Sequence, residues 1–406
     1  MTLNDTTRGN RLHIGLFGRR NAGKSSLINA LTGQAVATVS AVAGTTTDPV
    51  YKAMEIAGIG PVVFIDTAGF DDEGELGKLR VMRTKQAALE TDVAILFFTD
   101  EDMREELAWR EMFKRQNTPV IMVISGIDKC ADGGGQLAAA VEQAAGERPL
   151  LVSARKGLGL EALRQEILRV LPEDYEMPSI TGDLCKAGDT VVLVMPQDIQ
   201  APKGRLILPQ VQTLRELLDK KCQVFCCGAD FLAETLAKLR EPPQLMITDS
   251  QAFREVYSLK PAAARLTSFS VLFAAFKGDI EYFMRGAKRL LELAPTAHIL
   301  IAEACTHKPL AEDIGRVKLP RLLRKKLGED LRIDIVSGKD FPQSLAGFDL
   351  VIHCGACMFN RKYVLNRVHK AREQGTPMTN YGLAIAALLG IIDKVALPNG
   401  TKYVKM

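Results

Sequence analysis

The sequence predicts an α/β protein of roughly two to three domains. Length is the first reason, because 406 residues exceed what one ordinary hydrophobic core holds. The second reason is alternation: short apolar runs, such as Val93 to Phe98, are separated by amphipathic helical segments along the whole chain. Composition agrees, since 47% hydrophobic and 25% charged residues are ordinary for a globular protein.

Three regions follow from that alternation. Residues 1–172 contain strands and helices in the order of βαβ units, which indicates a parallel sheet covered by helices. A linker with two prolines, residues 172–179, separates them from a short α/β unit at 180–264. That unit is small for an independent core, so we expect it to associate with a second copy. Residues 265–406 alternate in the same style, without a repeat of fixed period.

Charge and hydropathy exclude several classes of protein. A net charge of +4 over this length gives no case for nucleic acid or an acidic membrane as the main partner. No apolar run reaches the roughly 18 residues that span a bilayer, and residues 1–11 lack an apolar signal core. We therefore expect a cytoplasmic protein whose eight cysteines are reduced thiols or metal ligands.

Residues 18–25, with the sequence GRRNAGKS, form a nucleotide-binding P-loop between a predicted strand and a predicted helix. Gly18 and Gly23 let the backbone wrap closely around phosphate, and the helix N-terminus holds the negative charge. Lys24 is expected to reach the β- and γ-phosphates, and Ser25 to bind Mg²⁺.

Further elements of a phosphate switch follow in order. Thr46, about twenty residues beyond the P-loop, is placed to bind Mg²⁺ from a switch loop. Asp66 closes a strand and is expected to hold Mg²⁺ through water, while the Gly69 amide senses the γ-phosphate. Ser153 and Ala154 begin a loop that would contact the base.

This set of motifs resembles the translation-factor-like GTPases, most closely the branch of tRNA-modification and ribosome-assembly GTPases. The resemblance implies that Ser26 belongs to the nucleotide contacts and that Asn21 helps to hold K⁺ beside the phosphates.

Two elements depart from that pattern. Residues 125–128 read SGID where the family has Asn-Lys-x-Asp, although Asp128 can still accept guanine N1–H and N2–H₂. Without the asparagine a hydrogen bond is lost, and without the lysine a stacking side chain is lost. We therefore expect GTP to be preferred over ATP, but to bind with reduced affinity. Phe70 stands where a water-orienting glutamine would follow, so slow hydrolysis is expected.

A second constellation, of cysteines and histidines, lies near the C-terminal end. Cys354 and Cys357 form a Cys-x-x-Cys pair, and Cys305 lies 48 intervening residues upstream. His307 and His353 flank these cysteines, which all follow predicted strands, where ligands gather in open parallel sheets. Three thiolates fit a [4Fe–4S] cluster with one iron not held by cysteine. A Cys₃His zinc site is the alternative, and buried structural cysteines are a third possibility.

With both ends considered, the chain resembles the HydF family of [FeFe]-hydrogenase maturation GTPases. The resemblance rests on Cys-x-His followed by His-Cys-x-x-Cys, on APKGR at 201–205 with LPQ at 208–210, and on TNYG at 379–382. It implies a GTPase domain at 1–172, a dimerisation domain at 180–264 and a cluster domain at 265–406. It places the [4Fe–4S] cluster on Cys305, Cys354 and Cys357, with a fourth position that is exchangeable or held by a non-cysteine ligand, and it makes His307 and His353 candidates to lie near that position.

The resemblance also implies a function. Such proteins hydrolyse GTP to GDP and act as homodimeric scaffolds that use Mg²⁺. They receive a di-iron precursor of the H-cluster from the radical-SAM maturases HydE and HydG and deliver it to apo-[FeFe]-hydrogenase. The chain itself lacks Cys-x₃-Cys-x₂-Cys, so it is not predicted to be a radical-SAM enzyme.

Two other functions remain open at this point. One is a GTPase acting in RNA modification or ribosome assembly, against which the absence of a basic stripe and of a G-x-x-G loop argues. The other is a zinc-stabilised regulatory GTPase without cofactor cargo.

Overall fold

The computed structural model describes residues 8–32, 49–56, 59–71, 74–171, 179–196, 206–304, 314–338 and 340–398. The chain divides into two compact units, residues 1–176 and 177–406. Among the described residues, the first unit contains one β-sheet and the second contains two, each accompanied by helices. The predicted α/β class is therefore confirmed, whereas most of the predicted linker lies outside the described residues.

The first unit is built on a six-stranded sheet in the order β2-β3-β1-β4-β5-β6. All neighbouring strands are parallel except β2, which runs antiparallel to β3. The strands are β1 (Leu12–Phe17), β2 (Val50–Ile56), β3 (Gly60–Asp66), β4 (Val93–Phe97), β5 (Val120–Ser125) and β6 (Leu150–Val152). The helices are α1 (Lys24–Thr32), α2 (Gly74–Ala88), α3 (Arg104–Arg115), α4 (Gly135–Ala145) and α5 (Leu160–Val170).

The central strand β1 explains where the P-loop lies. Every residue of β1 is buried, as is every residue of its neighbour β4. Continuous apolar runs of this kind form the inner strands of parallel sheets, whose two faces are both covered. Leu16 packs in one core cluster and Phe17 in the other, on opposite faces of the sheet. The loop after β1 therefore opens at the carboxyl edge in the middle of the sheet.

The second unit begins with a four-stranded parallel sheet in the order β10-β9-β7-β8. Its strands are β7 (Thr190–Val194), β8 (Gln223–Cys227), β9 (Leu245–Thr248) and β10 (Arg265–Ser268). Its helices are α6 (Leu208–Asp219), α7 (Leu232–Ala237), α8 (Phe253–Leu259) and α9 (Phe269–Lys277). The sequence-predicted boundary at 264–265 lies at the start of β10, which pairs with β9.

A second four-stranded parallel sheet follows, in the order β12-β11-β13-β14. Its strands are β11 (His298–Ala302), β12 (Arg332–Val336), β13 (Leu350–His353) and β14 (Met378–Asn380). Its helices are α10 (Ile280–Leu290), α11 (Leu319–Leu327), α12 (Arg361–Glu373) and α13 (Tyr381–Leu388). If the four strands of each sheet are numbered by their order in the chain, both sheets place them side by side as second, first, third and fourth. The sequence shows a common style in these two regions, and the structure shows a common topology.

The carboxyl ends of strands from both sheets meet in the second unit. Asn380, at the end of β14, caps α13 and donates from Nδ2 to the carbonyl oxygen of Ser270 at 2.8 Å. The Gly382 amide donates to Ser270 Oγ at 3.1 Å, and a Cβ on Gly382 would lie 3.0 Å from that oxygen. Ser250 and Ser268, which follow β9 and end β10, share a hydrogen bond of 2.9 Å. The TNYG segment thus joins the two sheets.

No helix among the described residues combines the length and the apolar composition that crossing a bilayer requires.

Candidate nucleotide site and cysteine site

The P-loop connects β1 to α1 through a backbone that suits glycine at two positions. Gly18 and Gly23 have φ angles of 153° and 90°, in the region that disfavours side chains. A Cβ on Gly23 would also lie 2.6 Å from Ser125 Oγ. Asn21 adopts a left-handed φ of 58°, which asparagine tolerates better than most residues. The loop therefore has the tight shape expected for wrapping phosphate.

Lys24 is held under this loop at the start of α1. Its side chain is only 7% exposed, and Nζ donates to the carbonyl oxygens of Gly18 at 2.8 Å and Arg19 at 2.7 Å. The ammonium group thus lies within the curve of the P-loop, where it can meet the β- and γ-phosphates.

The two predicted Mg²⁺ contacts of this region come together. Ser25 Oγ donates to Asp66 Oδ2 at 2.6 Å, because β3 runs beside β1 and ends at the P-loop. The loop after Asp66 also touches the P-loop, since a Cβ on Gly69 would lie 2.6 Å from the Arg20 amide nitrogen. Thr46 lies outside the described residues, so its contribution stays a prediction.

The base-reading segment is tied to the same loop. Asp128 accepts a hydrogen bond of 2.5 Å from the Ser153 hydroxyl, which lowers the pKa of its carboxyl group. The carboxylate therefore stays ionised and oriented, as reading the two guanine donors requires. Ala154 follows Ser153 in the loop after β6. Ser125, at the end of β5, donates its hydroxyl hydrogen to the carbonyl oxygen of Ala22 in the P-loop.

Phe70 turns away from the nucleotide site into the core. Its side chain is 6% exposed and stacks on Trp109 with 5.6 Å between ring centroids. This position therefore supplies no side chain that could orient water, as the sequence predicts. Beside it, Arg19 of the P-loop is bonded from Nε to the buried Glu106 at 2.9 Å. No sequence pattern predicts that ion pair, because it joins residues 87 positions apart.

The cysteine pair follows β13 at the carboxyl edge of the last sheet. Cys354 Sγ accepts hydrogen bonds from the backbone amides of Ala304, at 3.0 Å, and Ala356, at 3.4 Å. Ala356 has a left-handed φ of 46°, which turns the chain between the two cysteines. Ala304 immediately precedes Cys305, the third predicted ligand. The residue next to that ligand is therefore in contact with Cys354. Cys305 and His307 themselves lie outside the described residues.

The second cysteine of the pair is partly buried. Burial raises the pKa of the Cys357 thiol to about 11, and nearby Lys277 partly opposes this rise. Lys277 is 1% exposed and donates from Nζ to the carbonyl oxygens of Ala356 at 3.1 Å, Cys357 at 3.1 Å and Phe359 at 2.7 Å. A lysine at the end of α9, which follows the neighbouring sheet, thus holds the cysteine loop.

His353 is an orienting residue in this arrangement. Burial, and then the charge of Arg367, lower the pKa of its imidazole to about 3. Arg367 Nη1 lies 2.9 Å from His353 Nε2, and His353 Nδ1 lies 2.6 Å from the Cys354 carbonyl oxygen. Because a guanidinium can only donate, the neutral ring accepts at Nε2 and donates at Nδ1. Both ring nitrogens are therefore committed, and His353 offers no free ligand atom to a metal here.

These residues suit an iron–sulfur cluster. Backbone amides directed at a cysteine sulfur and a buried cation beside the loop both favour an anionic thiolate group. The raised pKa of Cys357 disfavours its thiolate, and a positive charge such as a bound metal supplies would favour it. Within the described ranges no three His, Cys, Asp or Glu side chains cluster as a metal site. A third ligand would therefore come from outside the described residues, where Cys305 and His307 lie.

Some functional residues were missed by sequence reasoning. Lys277 had a usable signal, because it ends the otherwise apolar segment FSVLFAAFK and yet is buried. Ser125 could be read only as a lost asparagine, since its contact with Ala22 depends on how the two loops pack. Arg367 sits on the basic helix α12 and has no pattern that distinguishes it from solvated neighbours.

Comparisons with known protein families divide the chain in the same order as its sheets. Residues 13–125 match the family described as 50S ribosome-binding GTPase. Residues 180–278 match the hydrogen maturase F dimerization domain, and residues 281–398 match the hydrogen maturase F tetramerization domain.

Curated relatives include tRNA modification GTPases that match about two fifths of this chain. The tRNA modification GTPase MnmE of Desulfotalea psychrophila is 37% identical over 159 residues, which cover 38% of this chain and 34% of that protein. MnmE of Aquifex aeolicus is 37% identical over 167 residues, covering 40% of this chain and 35% of that protein. The chain thus spans about a third of the length of these relatives.

Among solved structures, Aquifex aeolicus Era bound to GDP and AlF₄⁻ is similar at 22% identity and a TM-score of 0.35, covering 62% of this chain and 98% of that one. The G domain of T. maritima FeoB is similar at 23% identity and a TM-score of 0.30, covering 39% of this chain and 98% of that one. These scores are too low to carry a conclusion. The two maturase domains behind a P-loop GTPase domain decide the assignment: the chain belongs to the hydrogen maturase F family.

Proposed function

We propose that this protein is a GTP-hydrolysing scaffold for metallocofactor assembly. It holds a [4Fe–4S] cluster on Cys305, Cys354 and Cys357, receives the di-iron precursor of the hydrogenase H-cluster, and transfers it to apo-[FeFe]-hydrogenase. One observation carries the cluster part: Cys354 and Cys357 follow β13, and the Ala304 amide that leads into Cys305 is bonded to Cys354 Sγ at 3.0 Å.

The nucleotide site acts as a slow switch. Lys24 and the P-loop amides bind the phosphates, Ser25, Thr46 and Asp66 serve Mg²⁺, and Gly69 senses the γ-phosphate. Asp128 selects guanine, and Asn21 helps to bind K⁺, which stimulates hydrolysis. Hydrolysis is slow because Phe70 is packed against Trp109 and leaves the attacking water without an orienting side chain.

The cluster supplies one iron that no cysteine holds and that can take an external ligand. The residues of the chain bind and orient it. Three thiolates hold the group, His353 and Lys277 fix the loop through its carbonyl oxygens, and the amides of Ala304 and Ala356 donate to Cys354 sulfur. His307 is a candidate neighbour of the exchangeable position.

The partners follow from the family. Dimerization and tetramerization domains support a homo-oligomer. We further infer that HydE and HydG supply the precursor, that apo-hydrogenase accepts it, and that the protein works in the cytoplasm without nucleic acid or membrane. The likeness to a tRNA modification GTPase is confined to about a third of that relative, so its activity is not transferred to this chain.

Anaerobic reconstitution with iron and sulfide, followed by EPR of the dithionite-reduced protein, tests the cluster. We expect an S = 1/2 signal that is lost in Cys305→Ala, Cys354→Ala and Cys357→Ala. Cys130→Ala is the matched control, because Cys130 is an exposed thiol of the GTPase unit. A signal that survives all three substitutions would exclude the site, and stoichiometric zinc in anaerobically purified protein would favour the zinc-stabilised regulatory GTPase.

The switch is tested separately with Lys24→Ala. We expect loss of GTP binding and of hydrogenase activation in an assay with HydE and HydG, while the cluster signal remains. Exchange of K⁺ for Na⁺ should slow hydrolysis in the wild-type protein, and equal competition by ATP and GTP would contradict the assignment of Asp128.

A further inference from the structure

Asp71 connects the segment after β3 to the P-loop. Its carboxylate oxygen Oδ1 accepts a hydrogen bond of 2.9 Å from the backbone amide of Arg20. Gly69 lies in the same contact, because a Cβ there would be 2.5 Å from Asp71 Oδ1 and 2.6 Å from the Arg20 nitrogen. An exposed carboxylate of the chain is therefore bonded to a backbone amide of the P-loop.

The position of this carboxylate matters because the P-loop binds the phosphates of a nucleotide. The γ-phosphate is expected between Lys24, whose Nζ lies within the loop, and Gly69, whose amide is proposed to sense it. Asp71 follows Gly69 by two residues and is bonded beside it, so its carboxylate lies on the side from which Gly69 meets the γ-phosphate. GDP has no γ-phosphate to bring to this side of the loop.

We propose that Asp71 is a specificity-determining residue that weakens the binding of GTP relative to GDP. The inference rests on the proposed function, because it requires a guanine nucleotide at the P-loop with its γ-phosphate beside Gly69. A carboxylate and a phosphate are both anions, so they repel each other when they are close. Both are also acceptors that compete for the single N–H of Arg20. GTP binding therefore costs the bond to Asp71 or a close pair of like charges, whereas GDP binding costs neither.

Two variants separate the charge from the hydrogen bond. Asp71→Asn removes the charge and keeps an oxygen that can accept from the Arg20 amide, whereas Asp71→Ala removes both. Asp92→Asn is the matched control, because Asp92 Oδ2 accepts a hydrogen bond of 2.8 Å from the backbone amide of His13 in the same unit. His13 is the second residue of β1, so this contact lies at the end of the strand opposite to the P-loop.

The full-length protein is titrated with fluorescently labelled GDP and with the labelled non-hydrolysable GTP analogue GMPPNP, both in the presence of Mg²⁺. Because the carboxylate is exposed and its charge is screened, we expect GMPPNP to bind about threefold more tightly to Asp71→Asn and about fivefold more tightly to Asp71→Ala. The affinity for GDP should be unchanged in both variants, and Asp92→Asn should match the wild-type protein for both nucleotides. High salt should narrow the difference between Asp71→Asn and the wild-type protein, because it screens the repulsion.

The ratio of the two affinities decides the proposal. A wild-type ratio in Asp71→Ala would overturn it, and so would an equal gain in affinity for GDP and GMPPNP. Weaker binding of GMPPNP by Asp71→Ala would also overturn it, because Asp71 would then support the γ-phosphate. Failure of the proposed nucleotide site looks different: the wild-type protein itself would bind neither labelled nucleotide.

Discussion

The Ser125 hydroxyl donates a hydrogen bond to the carbonyl oxygen of Ala22 and so joins the base-reading segment to the P-loop. Gly23 lies directly against this contact, because a Cβ there would be 2.6 Å from Ser125 Oγ. The sequence predicts a lost hydrogen bond at position 125, where the related GTPases have asparagine. In the structure this serine supplies a bond between the two loops, whereas the expected loss of a contact to the base stays a prediction.

Ser125→Ala should weaken GTP binding about fivefold, since one intramolecular hydrogen bond contributes about 1 kcal/mol. Fluorescence titration with a labelled guanine nucleotide measures the change. Ser125→Thr retains the hydroxyl group and should bind almost as the wild-type protein does. Equal affinities for the alanine variant and the wild-type protein would show that the Ala22 contact does not support nucleotide binding.

Asp128→Asn should reduce GTP affinity by roughly 10- to 100-fold, because a charged acceptor facing two guanine donors is lost. The amide can instead donate to the C2 oxygen of xanthine, so xanthosine triphosphate should become the better competitor. Ser153→Ala serves as the control: it frees the Asp128 carboxylate without changing its charge, and guanine should stay preferred. Unchanged GTP affinity in Asp128→Asn would remove Asp128 from the base site.

Glu216 predicts a pH dependence of stability. Its carboxylate is partly buried, which raises its pKa, but hydrogen bonds from Thr181, Ile180 and Ser179 outweigh burial and hold the pKa below its ordinary value of 4.5. As the pH falls, Glu216 is therefore protonated in the unfolded chain at a higher pH than in the folded protein. The stabilisation is complete above pH 4.5 and is lost as the pH falls through the lowered value.

Glu216→Gln should accordingly lower the free energy of unfolding by about 2 kcal/mol at neutral pH. On acidification, the free energy of unfolding should fall less in this variant than in the wild-type protein. Denaturant unfolding at several pH values measures both effects. Glu234→Gln alters an exposed ion pair with Lys238, which solvent screens, and should change little. Parallel pH profiles for Glu216→Gln and the wild-type protein would contradict the assignment.

Gly286 allows α10 to rest on the backbone of β14. A Cβ there would lie 2.1 Å from the Met378 carbonyl oxygen, and backbone cannot yield as a side chain does. Gly286→Ala should destabilise the protein by about 2–3 kcal/mol, in the range of overpacking. Arg285→Ala, on the same helix, loses a contact of 5.8 Å with the Tyr282 ring and should leave the unfolding temperature almost unchanged. An unaltered melting temperature for Gly286→Ala would refute the close packing.

Much of the architecture was readable from apolar runs. The apolar run Val93 to Phe98, for example, agrees with the buried inner strand β4 to within one residue. Short strands were missed, among them β10 and β14, because four and three residues carry too little periodicity. The order of the strands could not be predicted either, since pairing depends on contacts between distant segments.

The candidate sites were readable where a motif has fixed spacing. The P-loop, Asp66 and the Cys-x-x-Cys pair stand out because phosphate and metal chemistry restrict both residue type and distance along the chain. The sequence shows that His353 lies next to the cysteines. It does not show that both ring nitrogens are hydrogen-bonded, because Arg367 approaches the ring from a helix further along the chain. Lys277 enters from a helix that precedes the cysteines by about eighty positions.

The two four-stranded sheets share one strand order, and this has an evolutionary consequence. Duplication and fusion of a single α/β unit would leave two copies with the same strand order. On that history the cysteines arose in the second copy, while the first copy contributed Lys277. Greater residue similarity between the paired strands of the two copies than between unrelated parallel sheets would record the duplication; its absence would point to convergence.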